Sequence, residues 1–354
     1  IFMSYKPIIM STNEKLIIDY LKNHKDVSSK QIHEDVMSLS SYATTKRILQ
    51  SLIGQHYILS SGKGKATKYN ISPAYELIAP QSMHHYFEKE IDERTIIEQF
   101  NFKLIHEILP HVNLFDKTEE AKLNELQETY RQNSAQLSTA AYNKELERLA
   151  IDLSWKSSQI EGNTYSLLET EKLLKDKETA SGKTKDEATM LLNHKDALDF
   201  IIAHPDYVHP ITVACIEDIH YLLAKELHID KNIRTSRVGI SGTNYRPLDN
   251  SFQLKEALEA MCLLINTKES VFEYSLLALV LISYIQPFAD GNKRTARIIS
   301  NALLMHHHYC PISFRTVDSV DYKMALLLFY EQNNISAFKE MYIQQFEFAV
   351  NTYF

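Results

Sequence analysis

The stretch that decides the fold of this 354-residue chain is QPFADGNKRTAR, residues 286–297. It follows the longest apolar stretch, residues 274–285, which Ser and Tyr interrupt and which is too short to cross a membrane. Pro287 ends that helix, and a second helical pattern begins near Asn292. Gly291 permits a left-handed or tight backbone, so successive N–H groups can converge on an anion at the N-terminus of the second helix. The pattern predicts a helix–loop–helix with a phosphate site in the loop.

The charged side chains of this loop favour a nucleotide triphosphate as the ligand. Arg294 and Arg297 are three residues apart, so both guanidinium groups lie on one face of the helix, where they can clamp a polyphosphate. Asp290 faces the same anion and would be repelled unless a divalent cation lay between them, which implies Mg²⁺. The alternative is an ordinary helix–loop–helix with surface arginines.

Three stretches of the sequence resemble the Fic family. Residues 286–297 match its motif, H-P-F-x-[D/E]-G-N-[G/K]-R-x-x-R, at almost every position. Residues 157–163, SSQIEGN, match the inhibitory pattern [S/T]-x-x-x-E-[G/N], and residues 239–247, GISGTNYRP, resemble the target-binding flap. The similarity covers about residues 133–354, and it implies the all-α Fic helical bundle with a β-hairpin flap.

The resemblance implies a protein adenylyltransferase, which transfers AMP from ATP to a hydroxyl group of a target protein and releases pyrophosphate. On this basis Asp290 would hold Mg²⁺. The phosphates would be bound by Gly291, Asn292, Lys293, Arg294 and Arg297, with the two arginines on the β and γ groups.

The resemblance also implies that the default state is autoinhibited. Glu161, in the pattern that includes Ser157 and Gly162, would form an ion pair with Arg297 and keep that arginine from the γ-phosphate. The alternative for Glu161 is an ordinary carboxylate near a helix end.

A hairpin is expected between residues 237 and 247. Apolar side chains at Val238, Ile240 and Tyr245 surround a turn at residues 241–244 that includes Gly242. As a flap, this segment would add a strand to the target and fix the attacking hydroxyl through main-chain hydrogen bonds.

Gln286 departs from the Fic motif at the position of the catalytic base. The family has a His there, and a primary amide does not titrate near neutral pH and cannot take the proton. We therefore expect AMP transfer to be weak or lost, and enzyme activity stays undecided at this point. Residues 306–308, three consecutive histidines, lie several helical turns from the loop and are interpreted as ordinary surface or packing residues.

Two other functions remain open. A nucleotide-responsive DNA-binding regulator without transferase activity would use the degenerate site to sense ATP. A Doc-like phosphotransferase shares the fold, but Arg297 argues against it because those proteins generally lack the second arginine.

Residues 13–75 resemble a winged helix-turn-helix, because three helical patterns precede two short strands joined by SGKGK. Residues 13–71 carry a net charge of +4, whereas the whole chain carries −7. A positive module on an acidic protein suits DNA binding, although such modules also serve in protein docking or dimerisation. The candidate DNA contacts are Thr44, Lys46, Arg47, Lys63 and Lys65.

The composition sets the remaining expectations. With only 8 glycines, the chain should be mostly helical, and its length exceeds that of most single cores. Three widely spaced cysteines predict neither disulfides nor a zinc site and fit a cytoplasmic location. The predicted units are a leader or artificial extension (1–12), the winged helix (13–75), connecting helices (76–132) and a Fic domain with its inhibitory helix (133–354). We expect no membrane contact. A winged helix would favour a two-fold pair, a homodimer, but the sequence leaves the oligomeric state open.

Overall fold

The computed structural model describes residues 10–72 and 74–354, apart from the side chain of Lys65. Most of the predicted leader, residues 1–9, lies outside the described residues. Helices account for 64% of the chain and strands for 3%, which confirms the all-α class. Among the helices described, none has both the length and the apolar character needed to span a bilayer.

The N-terminal unit contains three helices and a small sheet in the predicted order. Its helices are α1 (Thr12–Asn23), α2 (Ser29–Val36) and α3 (Tyr42–Gly54), and its strands are β1 (Val27–Ser28), β2 (Ile58–Ser61) and β3 (Lys68–Ile71). Serines 11, 28 and 41 cap the three helices, each accepting a backbone N–H from the third helical residue. The sheet has the order β1-β3-β2, all antiparallel, with Ile58 paired to Ile71. The identification of this unit as a winged helix-turn-helix remains a prediction.

The segment that follows is mostly irregular up to residue 116, so the helices expected between residues 76 and 132 are short until a long helix begins at Lys117. Its α-helices are only four residues long, α4 (Tyr75–Ile78) and α5 (Met83–Tyr86), and a π-helical turn covers Leu104–Ile108. The apolar side chains that indicated helices pack onto the helical bundle. Backbone groups of this segment form hydrogen bonds with the bundle and not within a helix of their own. Ile97 N–H donates to the Glu331 carbonyl at 2.8 Å, for example.

The remainder of the chain forms a helical bundle. Its helices are α6 (Lys117–Gln136), α7 (Thr139–Ile160), α8 (Leu167–Asp176), α9 (Lys185–Ala203), α10 (Val213–Ala224), α11 (Ser251–Thr267), α12 (Val271–Ile285), α13 (Asn292–His306), α14 (Ser319–Gln332) and α15 (Ser336–Tyr353). The predicted domain boundary after residue 132 falls within α6, which packs against α15. Every side chain of residues 272–285 in α12 is buried, so this helix is the centre of the bundle and α13 packs directly on it.

The predicted hairpin at residues 237–247 does not form. The structure has a turn at residues 241–242 flanked by extended chain, without strands. The reason is a competing partner: Arg246 N–H donates to the Glu98 carbonyl at 2.7 Å, and Gln99 bridges to Arg246 in parallel. Arg94 also donates from Nη2 to the Gly242 carbonyl at 3.0 Å. The connecting segment therefore takes the hydrogen bonds that the hairpin would have used.

Candidate active site

The loop between α12 and α13 has the backbone that the sequence predicted. Gln286 ends α12 in the left-handed conformation (φ 53°, ψ 57°), and Gly291 precedes α13 at φ 81°. No side chain caps α13, so the N–H groups of its first turn face the loop without a capping acceptor. The Asn292 side chain closes the loop, since its Oδ1 accepts from Phe288 N–H and its Nδ2 donates to the Phe288 carbonyl, each at 2.8 Å. The side-chain amide of Asn292 is therefore already bonded within the loop, and only its backbone N–H is available to an anion.

The two arginines of the loop are buried, not surface residues. The side chain of Arg294 is 1% exposed and that of Arg297 is 0% exposed. Arg294 donates from Nη2 to Asp290 at 3.2 Å, while its Nε and Nη1 have no hydrogen-bond partner. Arg297 donates from Nε to the Ser157 hydroxyl at 2.8 Å, while its Nη1 has none. Because a buried guanidinium without acceptors is costly, these free N–H groups indicate a site for an anion.

Glu161 lies at the end of α7 and bonds to two cations of the loop. Its Oε1 accepts from Arg297 Nη2 at 2.8 Å, and its Oε2 accepts from Lys293 Nζ at 3.0 Å. Burial opposes ionisation of Glu161, but Arg297 and Lys293 outweigh it and lower the pKa of this carboxyl to about 2. A carboxylate at a helix C-terminus is disfavoured by the helix dipole, so the two cations hold it there. Gly162 follows at φ 98°, which allows the chain to reverse.

Asp290 stands at the open side of the loop, with its side chain 65% exposed. One oxygen accepts from Gly291 N–H at 2.6 Å and the other from Arg294. A single accessible carboxylate beside a phosphate site fits Mg²⁺, which typically takes one or two carboxylates and completes its ligands with water and substrate phosphates.

The Gln286 side chain is committed to internal hydrogen bonds. Its Nε2 donates to the Ser283 carbonyl at 2.6 Å, and its Oε1 accepts from Asn292 Nδ2 at 3.0 Å. Arg234, which is 2% exposed, donates from Nε to the Gln286 carbonyl at 2.7 Å. The position of the motif histidine is therefore filled by an amide held in place at both polar ends.

Two buried histidines near the loop were missed by sequence reasoning. His194 of α9 has no hydrogen-bond partner at either ring nitrogen, and burial and the charges of Arg297 and Arg294 lower its pKa well below the usual value. His220 of α10 stacks on Phe288 with ring centroids 3.6 Å apart. Burial lowers the pKa of His220 to about 4, so the ring is neutral at physiological pH. Both lie on helices far along the chain from the loop, and no local pattern marks them.

The residues predicted for the flap differ in accessibility. Gly242 is exposed at φ 89°, and Val238 and Ile240 are half-buried. Tyr245 is buried, with its hydroxyl donating to the Tyr284 carbonyl at 3.1 Å and its ring stacked on Tyr284. Its predicted contact with a target was wrong, because it packs into the core and anchors the segment.

The candidate DNA contacts lie on α3 and on the turn between β2 and β3. Lys46, Arg47 and Lys63 are exposed, whereas Thr44 is half-buried and its hydroxyl bonds to the capping Ser41. The Lys65 side chain lies outside the described part of the chain.

Residues 210–304 match the model of the Fic/DOC family. The protein adenylyltransferase Fic of Aedes aegypti is 31% identical over 168 residues, which are 45% of this chain and 32% of that protein. The protein of the same name from Nematostella vectensis is 29% identical over 173 residues, 48% of this chain and 40% of that protein. The chain thus spans about a third of the length of these curated relatives.

Solved structures share the fold. The Fic-1 protein of C. elegans superposes with a TM-score of 0.59 at 19% identity, covering 67% of this chain and 72% of that one. A Fic domain containing signaling protein from Bacteroides thetaiotaomicron gives 0.53 at 17% identity, covering 65% and 96%. The uncapped loop and its buried arginines lie within residues 210–304, the segment that matches the Fic/DOC family model.

Proposed function

We propose that this chain is a Fic-type protein adenylyltransferase that binds ATP at residues 290–297 and is held inactive by Glu161. The observation that carries the proposal is the pair of buried arginines with unpartnered N–H groups beside an uncapped helix N-terminus. The name shared by the curated relatives, protein adenylyltransferase, supports AMP transfer as the reaction.

The triphosphate is the part of ATP that this site fits. The backbone N–H groups of Asn292, Lys293 and Arg294 point at the loop, and a helix N-terminus favours an anion. The free Nε and Nη1 of Arg294 and the free Nη1 of Arg297 supply a second set of donors. Asp290 would hold Mg²⁺, which supplies charge neutralisation of the phosphates when bound.

Glu161 inhibits by occupying groups that the terminal phosphate needs. Arg297 Nη2 and Lys293 Nζ bond to its carboxylate, and the two negative groups cannot share these donors. ATP would bind without its γ-phosphate on Arg297, so its α-phosphate would not be aligned with an attacking hydroxyl. Autoinhibition in this form requires no partner protein.

Gln286 limits the rate even after Glu161 is removed. Proton removal by a general base typically contributes about 10²- to 10⁴-fold, and an amide cannot supply it. The remaining acceleration comes from phosphate positioning and electrostatics. We infer a slow or inactive transferase with an intact nucleotide site.

The reaction is tested with α-labelled and γ-labelled ATP, using a variant that carries both Glu161→Gly and Gln286→His. Label from α-labelled ATP alone, on this chain or on an added protein mixture, is the expected result. The same variant with Arg294→Ala is the matched control and should transfer no label. Transfer of γ-phosphate would identify a Doc-like phosphotransferase, and ATP binding without any transfer would favour the regulator.

A second candidate function, DNA binding, rests on the N-terminal unit. Residues 13–71 carry a net charge of +4 on a chain of −7, and Lys46 and Arg47 are exposed on α3. A homodimer in the cytoplasm would place two such helices on successive half-sites. The test is the affinity for genomic DNA fragments with and without ATP. Lys46→Ala with Arg47→Ala should weaken binding, whereas unchanged affinity on adding ATP would contradict a nucleotide-responsive regulator.

A further inference from the structure

Three histidine side chains converge at the far end of α13 from the nucleotide loop. His306 and His307 end that helix region, and His209 lies in the loop between α9 and α10. One ring nitrogen from each lies within 4.8 Å of the other two. We propose that His209, His306 and His307 bind a transition-metal ion, Zn²⁺, at a site that joins this loop to α13.

The three rings are in contact with one another, and one nitrogen of His306 is fixed by a carboxylate. The His209 and His306 rings stack at 4.3 Å between centroids, and His307 stands nearly perpendicular to both. His306 Nδ1 is 2.9 Å from Asp206 Oδ1. With Nδ1 bonded to a carboxylate, His306 keeps Nε2 as a lone-pair donor, which is the usual pairing behind a zinc-bound imidazole.

His307 supplies a second, independent observation. Its Nε2 is buried and has no hydrogen-bond partner, although a buried polar atom normally has one. An unmet ring nitrogen of this kind is available to a ligand. A cation that accepts lone pairs from all three rings resolves it.

The space and the ligand type are consistent with zinc. A cavity of about 160 Å³ is lined by His209 and His307, so these two rings have free space beside them. In a tetrahedral site with Zn–N distances near 2.0–2.1 Å, the ligand nitrogens are roughly 3.4 Å apart. The ligand atoms lie within 4.8 Å of one another, so the rings move closer together when the metal binds. Imidazole ligands suit Zn²⁺, Cu²⁺ and Ni²⁺, and hard cations such as Mg²⁺ prefer oxygen.

The site would act as a clamp on α13. This helix carries Arg294 and Arg297 in its first turns, and the metal would fix its last turn to the loop that precedes α10. The inference does not depend on AMP transfer, and its test uses metal binding alone.

The test is titration of the full chain with ZnCl₂ by calorimetry after removal of metal with a chelator. The expected result is one Zn²⁺ per chain with a micromolar or tighter Kd. His209→Asn, at an exposed position that should not disturb folding, and His307→Asn should each weaken binding about 100-fold. His308→Asn, an exposed neighbour outside the cluster, is the matched control and should bind as the unaltered chain does.

Two further measurements keep the result unambiguous. Co²⁺ should give the visible absorption of a tetrahedral site, and Zn²⁺ should raise the Tm of the unaltered chain but not that of His209→Asn. Binding only at millimolar Zn²⁺ would overturn the proposal. Equal affinity in the two cluster variants and the unaltered chain would also overturn it, because the metal would then be held elsewhere.

Discussion

Replacing Glu161 with Gln should tighten ATP binding, because it removes a competitor for two of the donors that the γ-phosphate needs. The change keeps the size of the side chain and removes its charge. Glu161 accepts charge-assisted bonds from Arg297 at 2.8 Å and from Lys293 at 3.0 Å, with side chains 0% and 22% exposed. The variant leaves both cations in place for the phosphate.

The size of the expected change in the Kd for ATP follows from the contacts of Arg297 and Lys293. A hydrogen bond between charged groups contributes about 1.5–3 kcal/mol, and the Lys293 bond is at the low end because that side chain is partly solvated. In the unaltered chain ATP binds without these two contacts, and together they are worth about 3 kcal/mol to the γ-phosphate once the carboxylate is removed. That is roughly a 10²-fold weaker Kd, which the variant should recover.

The assay is calorimetric titration with ATP in the presence of Mg²⁺. Glu171→Gln is the matched control, since Glu171 pairs with Lys175 on the surface at 2.6 Å with 42% of its side chain exposed, and it should leave the Kd unchanged. An equal Kd for Glu161→Gln and the unaltered chain, with both folded by their melting curves, would refute the competition between the carboxylate and the γ-phosphate.

Three further outcomes follow from the same structure. Arg294→Lys should weaken the calorimetric Kd for ATP about 10- to 100-fold, since a lysine cannot reproduce the planar fork. Arg94→Met should lower the free energy of unfolding in urea by about 3–5 kcal/mol, because Arg94 pairs at 3.1 Å with Glu331, whose side chain is 0% exposed. The pKa of Glu161 lies near 2 in the folded chain, below its value of about 4.5 in the unfolded chain. The ion pairs of Glu161 therefore stabilise the folded state fully above pH 4.5, and this stabilisation is lost as the pH falls toward 2. Urea midpoints between pH 7 and pH 3 should show this loss in the unaltered chain and not in Glu161→Gln.

Each of these outcomes has a contrary result. ATP affinity retained in Arg294→Lys would mean that this side chain binds as a simple charge. A urea midpoint unaffected by Arg94→Met would show that Glu331 finds water or another donor. An identical pH slope in Glu161→Gln would assign the acid sensitivity to other carboxyl groups.

The loop between α12 and α13 was predictable from sequence because residues within it determine its backbone. Pro287 and Gly291 impose their backbone preferences without help from the rest of the fold, and the structure ends α12 and begins α13 where those residues require it. Serines 11, 28 and 41 likewise act locally, since each caps its helix through a backbone N–H three residues away. Strand β1 was missed because two residues carry no pattern.

The predictions that failed, and the contacts that were missed, depend on segments far apart in sequence. The alternation at Val238 and Ile240 is typical of a hairpin, but residues 98–99 of the connecting segment take the backbone bonds. Burial of Arg294 and the approach of His194 and His220 depend on helices far apart in sequence, so no local pattern could indicate them. The histidines of residues 306–308 likewise gain a partner, His209, only in the folded chain.

In the proposed function, this chain is an adenylyltransferase that lacks a proton acceptor at Gln286. The most direct test is the rate of AMP transfer from α-labelled ATP, compared between Glu161→Gly and the same variant with Gln286→His. We expect the histidine to raise the rate by about 10²- to 10⁴-fold. Equal rates would contradict the role assigned to this position, and no transfer by either variant despite ATP binding would contradict the transferase itself.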